Sequence, residues 1–230
     1  MHPRPVVLSP ATPSELLDYI LASHTHPTTL LVCWPKKQFL DALIQDVKDK
    51  LVPHDGQDDQ HPHHALLGAP LMQVAISRHI AMAFVPTVTH LRSYLAAFFT
   101  CDSKAPPPPL DAAPSLSSAG PQPPPPLLVY GFLELHRDGT EWSAQGLNTS
   151  AAGLVESAAR NGLRAAIVEP RKTESRDELE ASLGEGVPIL NGSKMRDDGT
   201  WSGRVVPVRR VLGRWFVLEA PSDNPGGEAA

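Results

Sequence analysis

The stretch "PLLVYGFLELHRDGTEWSAQGLNTSAAGLVESAARNGLRAAIVEP", from Pro126 to Pro170, decides the fold of this chain. Leu127 to Leu133 is a continuous apolar run of the kind a strand buried on both faces requires. A polar loop follows, then a helix from about Asn148 to Arg160, stopped by Asn161 and Gly162. Leu163 to Val168 is a second apolar strand, so the order is strand, loop, helix, strand.

The same alternation extends towards the N-terminus. "TTLLVCW", Thr28 to Trp34, is a β-branched apolar run bounded by Pro27 and Pro35, and "KKQFLDALIQDVKDKL" after it spaces Phe39, Leu40, Leu43, Ile44 and Val47 as a helix does. "HALLGAPLMQVAISRH" is helical in spacing, "IAMAFVP" (Ile80 to Pro86) is a short strand, and "THLRSYLAAFF" is a helix capped by Thr89. Nearer the start, Thr12, Pro13 and Glu15 have the capping-box spacing of a helix that carries Leu16, Leu17, Ile20 and Leu21 on one stripe. Beyond Val168, "EPRKTESRDELEASLGEG" is polar and charged. "VPILNGS", "GRVVPVRRV" and "GRWFVLEA" read as closing strands, the last two as a hairpin turning at Leu212 and Gly213, with Pro207 pushing its strand to a sheet edge.

Strands and helices that alternate first, with strands alone at the end, predict an α/β sandwich: a mostly parallel twisted sheet extended by C-terminal antiparallel strands. A chain of 230 residues with 41 % apolar content can bury one core of ordinary size. Residues 102–126 hold 10 of the 25 prolines and little that packs, so they read as a solvated, disordered insertion inside one domain spanning 1–219, with a disordered tail at 220–230.

Composition narrows function. The formal charge of −5 excludes coating of nucleic acid by bulk charge and leaves only a local basic face. Cys33 and Cys101 are far apart and form no C-x-x-C pair, which points to reduced thiols rather than a disulfide framework or zinc module. No window reaches the ~18 apolar residues of a membrane span. The tract Val52 to His64 carries His54, His61, His63, His64, Asp55, Asp58 and Asp59, but without fixed ligand spacing it reads as a solvated loop and not a metal site. No G-x-S-x-G or H-E-x-x-H pattern is present.

The order of these pieces resembles the core of the RecA-type recombinase family and its non-catalytic paralogues. "TTLLVCW" with its helix is similar to the unit after the family's phosphate-binding segment, and "LLVYG" to its Walker B strand. The loop ending in Ser143, Ala144 and Gln145 is similar to its first DNA-contacting loop. The resemblance implies a RecA-like three-layer sandwich. What the family needs for hydrolysis is missing: no G-x-x-x-x-G-K-S/T occurs, and "NGSK" (Asn191 to Lys194) lacks the first glycine and sits among strands. Tyr130 and Gly131 stand where a magnesium-binding acid is needed, Trp34 stands where a catalytic acid is needed, and Glu134 is the nearest carboxylate. A phosphate cradle, metal ligand and water-activating base are all wanting, so the expectation is no enzyme and no cofactor.

What remains implied is a catalytically dead subunit, similar to those of the fungal Shu complex, paired with another RecA-like paralogue in the nucleus and assisting a recombinase filament on DNA. On that resemblance Arg137 falls in the first DNA-loop region and Arg171, Lys172 and Arg176 in the second, where they could neutralise phosphates. Trp142 is the expected partner anchor; Trp201 is a further candidate, and Trp215 reads as core. The alternative is a RecA-like subunit of the cytoplasmic Elongator complex, which engages transfer RNA. A plain interaction scaffold built on the proline segment is a third option.

Overall fold

The computed structural model describes residues 4–23, 27–51, 65–68, 71–99, 124–137, 139–173, 177–189, 194–195, 201–202 and 204–218. Along the chain these form β1 (Val6–Val7), α1 (Pro13–Ser23), β2 (Thr28–Val32), α2 (Lys36–Leu51), α3 (Ala65–Gly68), α4 (Leu71–Ser77), β3 (Ile80–Phe84) and α5 (Val88–Ala97). Then come β4 (Pro126–Tyr130), α6 (Phe132–Arg137), α7 (Ala144–Arg160), β5 (Arg164–Val168), α8 (Glu178–Gly184) and β6 (Gly186–Pro188). The last are β7 (Lys194–Met195), β8 (Trp201–Ser202), β9 (Val205–Pro207), α9 (Val208–Leu212) and β10 (Val217–Leu218). The His- and Asp-rich tract Val52 to His64, residues 102–123 of the insertion, Arg176, Asn191 to Ser193 and the tail lie outside the described residues.

Six strands form one sheet in the order β10-β1-β5-β4-β2-β3, and every pairing in it is parallel. Strands from the two sides of the proline-rich insertion meet directly, because Leu30 of β2 is in register with Leu128 of β4 and with Met82 of β3. Parallel strands need helical crossovers on both faces, and period-two alternation supplies each face with its own core. Val7, Leu31, Leu127, Val129, Ala165 and Ile167 point towards α5 and α7, meeting Leu91, Leu95, Leu147 and Leu154. Val6, Leu30, Val32, Leu128, Tyr130 and Ala166 point the other way, towards Leu16 and Ile20 of α1 and Phe39 of α2. The chain is thus an α/β sandwich of a twisted parallel sheet between two helical layers, consistent with the RecA-like architecture, and its antiparallel strands are C-terminal as expected.

Several local expectations are corrected. The antiparallel strands form two small sheets of their own, β6 with β9 and β7 with β8, beside the parallel sheet. β4 stops at Tyr130 instead of continuing to Leu133, because Gly131 takes a left-handed φ of 81° and the chain turns at once into α6. α7 begins at Ala144, four residues earlier than the apolar spacing suggested, since the Ser143 hydroxyl accepts from the Gly146 N–H. The cap of α5 is Thr87 and not Thr89, its side chain accepting from the His90 N–H.

The expected closing hairpin does not form. Pro207 ends β9 with φ −66°, and Val208, Val211 and Leu212 all bury on one side of α9, a helical i, i+3, i+4 spacing in a segment that read as strand. β10 then runs parallel beside β1. β1 itself, two residues each 1 % exposed, went unseen in a proline-flanked start.

Candidate functional site: the carboxyl edge of the sheet

All six parallel strands end on one edge, and in open α/β sheets ligands bind beyond that edge. Four strand ends converge there: the β1–α1 turn, Cys33 and Trp34 after β2, Gly131 after β4 and Glu169 after β5.

The β1–α1 turn occupies the strand–turn–helix position in which a phosphate is gripped by backbone N–H groups at a helix start. Here the turn is "LSPAT", Leu8 to Thr12, without a glycine. Its backbone is stitched to β5 and the segment after it: Leu8 N–H donates to the Ile167 carbonyl at 2.9 Å, Ala11 N–H to Glu169 at 3.0 Å, and Arg171 N–H to Ala11 at 3.1 Å. The Tyr130 hydroxyl also donates to the Ala11 carbonyl, at 3.1 Å.

The donors at the start of α1 are answered by the chain's own side chains. Thr12 N–H donates to Glu15 Oε2 at 3.0 Å, Glu15 N–H to Thr12 Oγ1 at 3.4 Å, and Ser14 N–H to Asp46 Oδ2 at 2.8 Å, while Pro13 has no N–H to offer. Lys50 lies 3.3 Å from Asp46 and 3.9 Å from Glu15. Burial alone would raise the Asp46 carboxyl, but hydrogen bonds from Ser14 and Thr12, together with the charge of Lys50, outweigh it and hold Asp46 below the usual carboxylate value. Two carboxylates therefore sit where an incoming phosphate would have to sit.

At β2 and β4 the arrangement closes further. The Trp34 indole N–H donates to Glu134 Oε2 at 2.8 Å, and Lys172 Nζ lies 3.0 Å from Glu134 Oε1. Trp34 packs edge-on to Tyr130 at 5.3 Å between centroids. A Cβ on Gly131 would meet Trp34 Nε1 at 3.5 Å and Cys33 Cβ at 3.6 Å, so the indole covers the strand end that would present a magnesium ligand. Glu134, the acid singled out from sequence, is present but held between a tryptophan and a lysine. Burial raises the Cys33 thiol well above its ordinary value, which keeps it a small apolar group and not a nucleophile.

Glu169 is the residue that sequence reasoning passed over. It is 7 % exposed, and Oε1 accepts from the Leu133 N–H at 2.8 Å, which anchors the first turn of α6 to the end of β5. Burial raises its carboxyl to about 7, against the pull of that hydrogen bond.

A second unforeseen network ties α5, α6 and α7. His136 Nδ1 is 2.7 Å from the Phe132 carbonyl and Nε2 is 2.9 Å from Ser150 Oγ, while Arg92 Nε donates to the same hydroxyl at 2.9 Å. Since a carbonyl can only accept, Nδ1 carries the proton and Ser150 donates to Nε2. Arg92 also pairs with Glu141 at 2.7 Å and donates to the Gly146 carbonyl at 3.0 Å. Burial lowers His136 to about 4, so it is neutral at ordinary pH. Ser150 is fully buried and the imidazole has no carboxylate behind it, so this serine–histidine pair positions a loop and does not attack a substrate.

The residues expected to meet DNA are separated and paired. Arg137 forms an ion pair with Glu185 and lies over the Trp142 ring at 5.1 Å. Arg171 pairs with Glu15 at 2.9 Å and donates to the Pro10 carbonyl, and Lys172 pairs with Glu134. Trp142 is half-buried against the core. No protein-family model matches the chain, and no curated protein matches it.

Proposed function

We propose that this chain is a non-catalytic RecA-like subunit of a DNA-repair accessory complex, which pairs with another RecA-like protein and assists assembly of a recombinase filament on DNA in the nucleus. The observation that carries the reading is the β1–α1 start, whose amides are capped by Glu15 and Asp46. A fold of this kind can lose nucleotide turnover and keep a partner-binding task, because its sheet and helical layers are held together by side-chain packing alone. Strand order supports the resemblance: β5 separates the β1 unit from β4, the strand similar to Walker B, and β2 lies beyond β4. The unpaired edge of β3, where Met82 is exposed, and exposed Leu40 and Ile44 of α2 are surfaces on which a partner could bury apolar area.

Two measurements test this. Calorimetric titration with magnesium ATP should give no heat of binding, and affinity purification from native extract should recover a RecA-like recombination protein. Recovery of Elongator subunits instead, or ATP turnover abolished by a substitution in this chain, would overturn it.

A further inference from the structure

Arg137, Arg171 and Lys172 are each neutralised by a carboxylate of the chain, so a phosphate could engage them only by displacing Glu185, Glu15 or Glu134. Three other arginines are differently placed. Arg204 precedes β9, Arg210 lies on α9 and Arg214 follows four residues later; all three are exposed, and none has an ion pair with a described residue.

They line one concave pocket of about 360 Å³. Its opposite wall is the start of α7, a 17-residue helix whose N-terminal end carries the positive end of the helix dipole. Asn148 of that helix also lines the pocket, and its Oδ1 already accepts from the Trp215 indole N–H at 3.0 Å, so what it can offer a ligand is its NH₂. Ile189 and Val206 supply apolar surface between the cations. No carboxylate lines the pocket among the described residues. An inventory of three guanidiniums, an amide donor and a helix start, with no acidic group, selects an anion, and guanidinium forks match phosphate oxygens.

We propose that the Arg204–Arg210–Arg214 pocket grips the phosphate backbone of a single-stranded nucleic acid, with a base or sugar against Ile189 and Val206. The volume, at the small end of ligand pockets of ~300–1,000 Å³, suits a single nucleotide unit. The apolar floor favours a nucleic acid over an acidic peptide, whose carboxylates carry no flat ring to cover it. This rests on the DNA-facing reading above, but moves the contact from the carboxyl edge to the face built by α7, β9 and α9.

The test is fluorescence anisotropy of the full chain, with its partner if co-purified, against a labelled thymidine homopolymer at several salt concentrations. The variant Arg210→Glu/Arg214→Glu should lose at least about tenfold in affinity and flatten the log–log salt slope by roughly two. Lys172→Glu should retain wild-type binding, and circular dichroism should be unchanged in both because the side chains are exposed. Three results would overturn the proposal: no binding by the wild type, equal binding by the double variant, or competition by polyglutamate as effective as by unlabelled oligonucleotide. If the RecA-like partner is absent from purifications while the double variant still loses binding, the assembly reading fails and the pocket stands; an intact partner with unaltered binding sinks the pocket alone.

Discussion

Asp46 accepts a 2.8 Å hydrogen bond from the Ser14 backbone N–H, joining the end of α2 to the start of α1 across 32 residues of sequence. The contact occupies the seat that a phosphate would take at a helix start. Adding magnesium ATP or ADP should therefore leave the melting temperature unchanged, because a ligand that does not bind the native state cannot stabilise it. A concentration-dependent rise in melting temperature would contradict the closed seat.

Asp46 also has a stability role of its own. Its folded pKa lies below the unfolded value of 3.8, so its contribution is present above that pH and lost as pH falls through the folded value. Asp46→Ala should cost about 1–2 kcal/mol at pH 7, as loss of a cap does, and the deficit should shrink in acid. Urea denaturation at pH 7 and below pH 4 measures both.

Glu169 and His136 give opposite pH slopes. The folded pKa of Glu169 is raised from 4.5 to about 7 by burial, so the stability linked to it is complete below 4.5 and lost as pH rises through about 7. His136 is lowered from 6.5 to about 4, so its share is complete above 6.5 and lost as pH falls through about 4. Glu169→Gln keeps an acceptor for Leu133 and removes the buried charge, next to Glu134 and Arg137. It should raise stability at pH 8 by up to roughly 3 kcal/mol and change little at pH 4.5. The same difference at both pH values would disprove the assignment.

Three glycines should separate backbone conformation from space. Gly131→Ala places a side chain at φ 81° with only ordinary contacts around it, and should cost about 1–2 kcal/mol. Gly146→Ala would bring a Cβ within 2.2 Å of the Glu141 carbonyl oxygen and should be worse, disturbing the turn before α7. Gly153→Ala, in the middle of α7 with nothing within 4 Å, should stabilise by about 0.5–1 kcal/mol. Thermal melts of the three variants give the order.

Ser150→Ala removes the hydroxyl that joins His136 to Arg92 and leaves a buried imidazole nitrogen without its donor. It should cost about 1–3 kcal/mol in urea denaturation. A neutral effect would mean that a water replaces the hydroxyl and that the network does not position the loop before α7.

Apolar runs and helical spacing were enough, read along the chain, to determine β2, β3, β4 and β5, the amphipathic α2, α5 and α7, and the parallel sheet these imply. These elements are written in local order because a strand buried on both faces must be continuously apolar and a half-buried helix must repeat every 3.6 residues. Two residues of β1 are too short to show a period, and Val208–Leu212 satisfies a strand's apolar content and a helix's spacing alike. Only pairing with β5 and β10, and burial of Val208, Val211 and Leu212 together, decided those elements.

The missing phosphate grip was likewise legible as an absence of glycine, lysine and acid. What replaced it was not: Ser14 with Asp46, Trp34 with Glu134 and Arg171 with Glu15 lie 32, 100 and 156 residues apart. Charges that look free along the chain are paired or unpaired only after folding brings distant carboxylates within reach, so tertiary structure alone showed Arg137, Arg171 and Lys172 as neutralised and Arg204, Arg210 and Arg214 as exposed without an ion pair to a described residue.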